Sequence, residues 1–101
     1  SGSAADETQI KATAGTVYGI VAVNTDATEC FLHLYNLTAA NTTVGTSTPV
    51  ITIPLLATGG AAINITLGAA FSTAITAAIT TTVGGSTSVT ANKVVVNILY
   101  A

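Results

Sequence analysis

The sequence predicts an all-β fold, a single antiparallel β-sandwich of about seven to eight strands of jelly-roll or immunoglobulin-like type. Three observations carry that expectation. Thr is the most frequent residue, and together with Val and Ile it fills the chain with β-branched side chains that favour extended backbone. Short apolar runs alternate with turns rich in Gly, Asn and Thr at the spacing of a sandwich or barrel. No fixed-period repeat is present, which argues against a solenoid. The 101 residues fit one domain: a flexible N-terminal arm over 1–7 and the sandwich over 8–101.

The elements follow in chain order. The arm, SGSAADE, is small, polar and acidic. Thr8–Ala14 is expected as a short edge strand that Lys11 guards against stray pairing. The organising stretch is Thr16–Asn36, TVYGIVAVNTDATECFLHLYN, which reads as a hairpin. Strict alternation puts Val17, Val21 and Val23 on one face of its first strand and Tyr18, Ile20 and Ala22 on the other. Asn24, Thr25 and Asp26 supply turn chemistry, because Asn and Asp side chains bond nearby backbone. The return strand sets Cys30, Leu32 and Leu34 against Phe31, His33 and Tyr35. Both strands are apolar on two faces, so each needs cover on both.

Leu37–Pro49 is rich in Thr, Asn, Ser and Gly and reads as a long surface loop. Val50–Leu56 is a strand whose Pro54 requires an edge or a bulge. Ala57–Gly60 is a turn. Ala61–Leu67 alternates, with Ile63, Ile65 and Leu67 inward, Asn64 and Thr66 outward, and Gly68 as its end. Ala69–Val83 fits two patterns. Phe71, Ile75 and Ile79 lie four apart, as on a helix; Ile75, Ala77, Ile79 and Thr81 share one strand face, and the Thr content favours the strand. Gly84–Ser88 is a turn. Val89–Ala101 closes the chain as a strand with Val94, Val96, Ile98 and Tyr100 on one face and Val95, Asn97 and Leu99 on the other.

Charge narrows the function classes. Charged residues make up 6% of the chain, against about 25% in ordinary domains. No Lys, Arg, Asp or Glu lies between Glu29 and Lys93. Two readings fit this span: a surface solvated by Thr, Ser and Asn, or one largely covered by neighbouring subunits, which the depletion of charge in interface cores favours. The chain has no Arg and a net charge of −2, which excludes a nucleic-acid partner. No run of about 18 apolar residues exists, so no membrane partner is expected. SGSAADETQI has no basic region leading into an apolar run, as a secretion signal would. The single Cys30 forms no intrachain disulfide and fits a protein made in the cytosol.

No residue pattern encodes a reaction, and no enzyme, catalytic residue, metal site or cofactor is expected. Cys30 and His33 are three apart, so a strand points them to opposite faces and they make neither a nucleophile–base pair nor shared metal ligands. Asp6 and Glu7 lie in the arm; Asp26 and Glu29 serve a turn rather than acid–base or Ca²⁺ chemistry. The glycine pairs at 59–60 and 84–85 precede neither a Lys nor a helix signal, so they are turn glycines, not phosphate loops. Three Asn-x-Thr triplets, at Asn36, Asn41 and Asn64, are the chance matches of a Thr- and Asn-rich chain. A sugar platform needs exposed aromatics; Trp is absent and the five aromatics fall among core positions.

The segments GTVYGIVAVNTDATECFLHLYN (Gly15–Asn36) and TVGTSTPVITIPL (Thr43–Leu55), with FSTAI at Phe71–Ile75 and NKVVVNILYA at the end, resemble small structural proteins of tailed-bacteriophage virions. The resemblance covers most of the chain beyond the first dozen residues and is carried by turn residues and strand alternation. It implies a virion component assembled in the host cytoplasm: a head decoration (cement) protein, or a tail, fibre or neck accessory. The low charge departs from that pattern. The resulting expectation is a capsid decoration protein that forms a homo-oligomer, a trimer in the working form, and binds the major capsid protein or other virion subunits. A receptor- or carbohydrate-binding β-module is the alternative of another class. The second apolar faces nominate Tyr18, Ile20, Phe31, His33, Tyr35, Val95 and Leu99 as subunit-interface residues.

Overall fold

Seven strands form among the described residues: β1 (Thr8–Lys11), β2 (Gly15–Asn24), β3 (Cys30–Tyr35), β4 (Ile51–Leu55), β5 (Gly60–Phe71), β6 (Ile75–Thr80) and β7 (Val94–Tyr100). The structure is a computed structural model and describes residues 8–85 and 94–101. The expected arm over 1–7, the second half of the Gly84–Ser88 turn and the start of the last strand lie outside the described residues. So do the side chains of 61 and 63–67, and with them the expected alternation of Ile63, Ile65 and Leu67.

The strands make two antiparallel sheets, ordered β1-β6-β3-β4 and β5-β2-β7. They pack face to face as a β-sandwich, as the composition predicts. In an immunoglobulin-type sandwich the first two strands pair; here β1 pairs with β6. The core lies between the sheets. Val17, Ile20 and Ala22 from β2 meet Cys30, Leu32 and Leu34 from β3, with Leu55, Phe71 and Ile75. Val94, Val96 and Ile98 of β7 pack on its margin.

The hairpin expected over Thr16–Asn36 does not form. β2 pairs with β5 and β7, whereas β3 pairs with β4 and β6, so the chain changes sheet between Asn24 and Cys30. The reason is the one that made both strands look two-faced. Strands paired side by side would share one core face, but strands in opposed sheets bury their apolar rows against each other. Asn24 holds the crossing. It is wholly buried. Its Nδ2 donates to the carbonyls of Thr28 (2.9 Å), Leu55 (3.2 Å) and Leu56 (3.2 Å). Its Oδ1 accepts from the Asp26 N–H at 2.9 Å, the Asx-turn read from the sequence.

Strict alternation in β2 also fails. A bulge between Val17 and Gly19 shifts the phase, because Val17 pairs with Ala69 while Gly19 pairs with Asn64. Val17, Ile20, Ala22 and Asn24 therefore face inward, and Tyr18, Val21 and Val23 face outward. Val17 does not share a face with Val21 and Val23. Gly68 lies inside β5 rather than ending it, in the left-handed region at φ 81°. A Cβ there would run into the side chains of Thr16 and Tyr18, so the bulged segment accepts only glycine.

The remaining elements follow the sequence. β1 is an edge strand, as is β4 with its Pro54. The stretch from Ala69 to Val83 is extended: β5 ends at Phe71, a turn follows over 72–74, and β6 sets Ile75, Ala77 and Ile79 toward the core.

Replacing Asn24 by Leu keeps the branched shape but leaves the buried Leu55 carbonyl and the part-buried Asp26 amide without their partner, each left-over group costing about 1–3 kcal/mol. We expect a loss of about 3 kcal/mol, read as a lower urea midpoint. A midpoint within error of the wild type would show that the crossing does not depend on this side chain.

Candidate functional site

The outer faces of the two sheets differ. On β5-β2-β7 the outward row of β2 is Tyr18, Val21 and Val23, and that of β7 is Val95, Asn97 and Leu99. The five apolar members are 42–58% exposed. Register brings them together: Val23 pairs with Val95, Val21 with Asn97, and Gly19 with Leu99. On the other side, Val21 pairs with the exposed Ala62. The result is one contiguous apolar face without a charged side chain among its described residues.

Of the residues nominated from the sequence, the structure gathers Tyr18, Val95 and Leu99 on this face. Ile20 is 1% exposed and belongs to the inter-sheet core, because the bulge turns it inward. His33 and Tyr35 are each 2% exposed and Phe31 is half-buried. Their cover comes from this same chain, so the face of β3 needs no second subunit and Ile20, His33 and Tyr35 present no surface to one. Val21 and Val23 complete the exposed face instead. The glycine in the middle of an apolar strand, Gly19, was the available sign of a bulge.

The cover over β3 is the loop between β3 and β4, expected as a surface loop. It contains one 3₁₀ turn, Ala39–Asn41. Val44 and Leu37 pack on Tyr35 and Ala78, and the Thr76 hydroxyl donates to the Leu37 carbonyl at 2.6 Å. At the start of the loop, Asn36 Oδ1 accepts from the Thr73 amide at 2.8 Å. At its end the Val50 N–H donates to the Leu34 carbonyl at 2.7 Å. A half-open pocket of about 80 Å³, lined by His33, Tyr35, Ser47, Pro49 and Val83 among others, remains at its edge.

Inside this cover His33 is fully engaged. Nδ1 lies 3.0 Å from Thr52 Oγ1 and Nε2 lies 2.8 Å from Thr80 Oγ1. The Thr80 hydroxyl donates its one proton to the Thr82 carbonyl at 2.7 Å, so it accepts from His33. Nε2 therefore carries the proton, and Nδ1 accepts from Thr52. Burial lowers the His33 pKa and raises that of Tyr35. Neither ring nitrogen is left to act on a substrate.

In its chemistry the chain matches no known protein closely enough to guide the reading: no family model, no curated protein and no solved structure matches it. The residues must speak for themselves. Cys30 lies in the inter-sheet core and His33 on the opposite side of β3, as strand parity requires. Burial, then the charges of Asp26 and Glu29, push the Cys30 thiol up, away from thiolate reactivity. Among the described residues no three of His, Cys, Asp and Glu stand together as metal ligands, and no helix is long and apolar enough to cross a membrane. The surface feature that calls for a function is the open apolar face of β5-β2-β7.

Cys30 should resist thiol reagents in the folded protein. Its labelling by an aromatic disulfide is expected to proceed at the rate of unfolding and to accelerate in urea in step with it. Prompt labelling in buffer would show that the core around β3 opens locally.

Proposed function

We propose that this chain is a structural subunit that works by lateral assembly: a capsid decoration (cement) protein of a tailed-bacteriophage virion, oligomeric and seated on the head shell against the major capsid protein. The observation that carries the assembly reading is the open apolar face formed by Tyr18, Val21, Val23, Val95 and Leu99. The virion part rests on the sequence resemblance over Gly15–Leu56, Phe71–Ile75 and Asn92–Ala101, to which the comparisons add nothing.

Magnitudes shape the proposal. Strands about 4.8 Å apart with a rise of about 3.3 Å per residue give three strands of seven residues a face of about 330 Å². A pair of such faces buries about two-fifths of the ~1,600 Å² typical of a stable complex. One contact of this kind is weak. On a shell, many copies held by several weak contacts each add to firm attachment, because every contact after the first is intramolecular. A decoration protein suits this surface better than a free obligate dimer does.

The isolated chain should therefore self-associate weakly and in a concentration-dependent way in sedimentation equilibrium. Val95→Lys with Leu99→Glu should weaken that association and binding to purified shells at least about tenfold, because charge is penalised in a desolvated contact. Their folded circular dichroism should be unchanged. A monomer at every concentration that also fails to bind shells would sink the assembly reading. Weak association with labelling confined to tails in electron micrographs would keep the assembly reading and replace the head by a tail, fibre or neck position.

A further inference from the structure

His33 is the chain's single histidine and lies at the centre of the outer face of the four-stranded sheet. The described groups next to it on the sheet carry no charge. β4 sets Thr52 beside it, and β6 sets Ala78 opposite and Thr80 diagonally. On β3 itself Tyr35 is the titratable neighbour, 6.1 Å away between ring centroids, and its raised pKa keeps it a neutral phenol in acid. The cover over 36–50 and the turn over 81–85 contain no Asp, Glu, Lys or Arg. β1, beyond β6, adds Lys11, whose stem lies beside Gly15. No carboxylate faces the ring from any of these elements.

A second proton on this ring would sit on Nδ1, which now accepts from Thr52. The Thr52 hydroxyl would have to turn round, and a cation would be held out of water with no counter-charge. The chain can relieve that cost by letting water reach the ring. The loop residues that line the same half-open pocket as the ring are Gly45, Ser47 and Pro49. This segment is bonded within itself: the Ser47 amide donates to Thr43 O at 2.7 Å, and Ser47 Oγ accepts from the Thr43 amide at 2.9 Å. It is tied to the sheet at its N-terminal end by Leu37 and by the Ala39 amide, which donates to Gln9 Oε1 of β1 at 3.1 Å, and at its C-terminal end by Val50; between these ties Val44 presses down on Tyr35 and Ala78. Two fixed ends, a self-bonded middle and an apolar plug over a titratable floor are the parts of a strap.

We propose that the loop over 37–49 is an acid-released strap, closed over the neutral His33 ring and lifted between its end ties when that ring takes a second proton, so that the apolar outer face around Phe31, Tyr35 and Ala78 is uncovered. The sign follows from linkage. The folded midpoint lies below the ordinary 6.5, so the closed state binds fewer protons than an open one. The closed strap has its full stability above about pH 6.5, and loses it as the pH falls from there toward the folded midpoint. Over that window each pH unit shifts the closed–open equilibrium about tenfold toward open.

Nuclear magnetic resonance of the full chain between about pH 7 and pH 5, the histidine window, tests this with one ring to follow. The expected result has three parts. The imidazole nitrogens show the Nε2–H form at neutral pH, and the ring titrates with a midpoint below 6.5. Contacts between the Val44 methyls and the Tyr35 ring fade along the same curve, while contacts within the inter-sheet core persist. In His33→Gln the Val44–Tyr35 contacts become independent of pH; should that variant not fold, the wild-type curve decides alone. A midpoint at or above 6.5, a strap whose contacts survive the ring's titration, or loss of core contacts together with strap contacts would each overturn the proposal.

Discussion

The fold depends on one crossing. Between Asn24 and Cys30 the chain leaves one sheet and enters the other, and the Asn24 amide makes that step possible by satisfying backbone groups from both sides of it. The links on either side of Asn24 are largely exposed, but Asn24 itself is wholly buried, so its own polar atoms and the Leu55 carbonyl beside it must find partners within the protein. One side chain with two donors and an acceptor, placed at the last residue of β2, meets the carbonyls of Thr28, Leu55 and Leu56 and the amide of Asp26. The Asn24 amide N–H is bonded as well, to Gly59 O at 2.7 Å. With this joint in place, β2 and β3 face each other across the core, and the order of both sheets follows from which strands can then reach them.

How much of this could be read from the residues depended on whether the decisive interaction was local. The strand class was legible, because β-branched content and alternation are local. So were the edge position of β4, through Pro54, and the extended state of β6, through its threonines. The Asx-turn at Asn24 was legible for the same reason. The partner of each strand was not. Two neighbouring apolar strands satisfy the same pattern as a hairpin or as a crossing, and the difference lies in carbonyls of Leu55 and Leu56, some thirty residues away. The phase of β2 was lost at Gly19, where β2 spends one residue more than β7 between Val17 and Gly19, so that Ile20 points inward and Val21 and Val23 outward. Three nominated surface residues, Ile20, His33 and Tyr35, were misplaced for these non-local reasons. Val95 and Leu99 kept their place because β7 runs without a bulge and no described loop covers it, and Tyr18, at the bulge itself, still faces outward.

The two outer faces show what the charge-free composition does. A chain with no charged side chain between Glu29 and Lys93 cannot use charge to keep its sheet faces solvated. It covers one face with its own loop, whose Thr42 and Val44 are buried although the segment is rich in polar residues. Threonine makes this workable: its methyl packs and its hydroxyl closes local bonds, as Thr42 does to Thr38 O at 2.8 Å and Thr76 does to Leu37 O. The low charge thus corresponds to a loop that lies down on the sheet rather than standing in solvent.

No such loop covers the other face within the described residues. β2 and β7 present Val and Leu there at roughly half exposure, relieved by Asn97 alone. The same composition therefore yields opposite outcomes on the two sides, and chain connectivity decides which. The long connection leaves from β3 and returns to β4, both in the four-stranded sheet, so it can lie only over that sheet. The described links that reach the three-stranded sheet, at 12–14, 25–29, 56–59 and 72–74, are short. On the assembly reading, an apolar sheet face left open in this way is hidden against other subunits, and its modest area favours many shared contacts over one strong one.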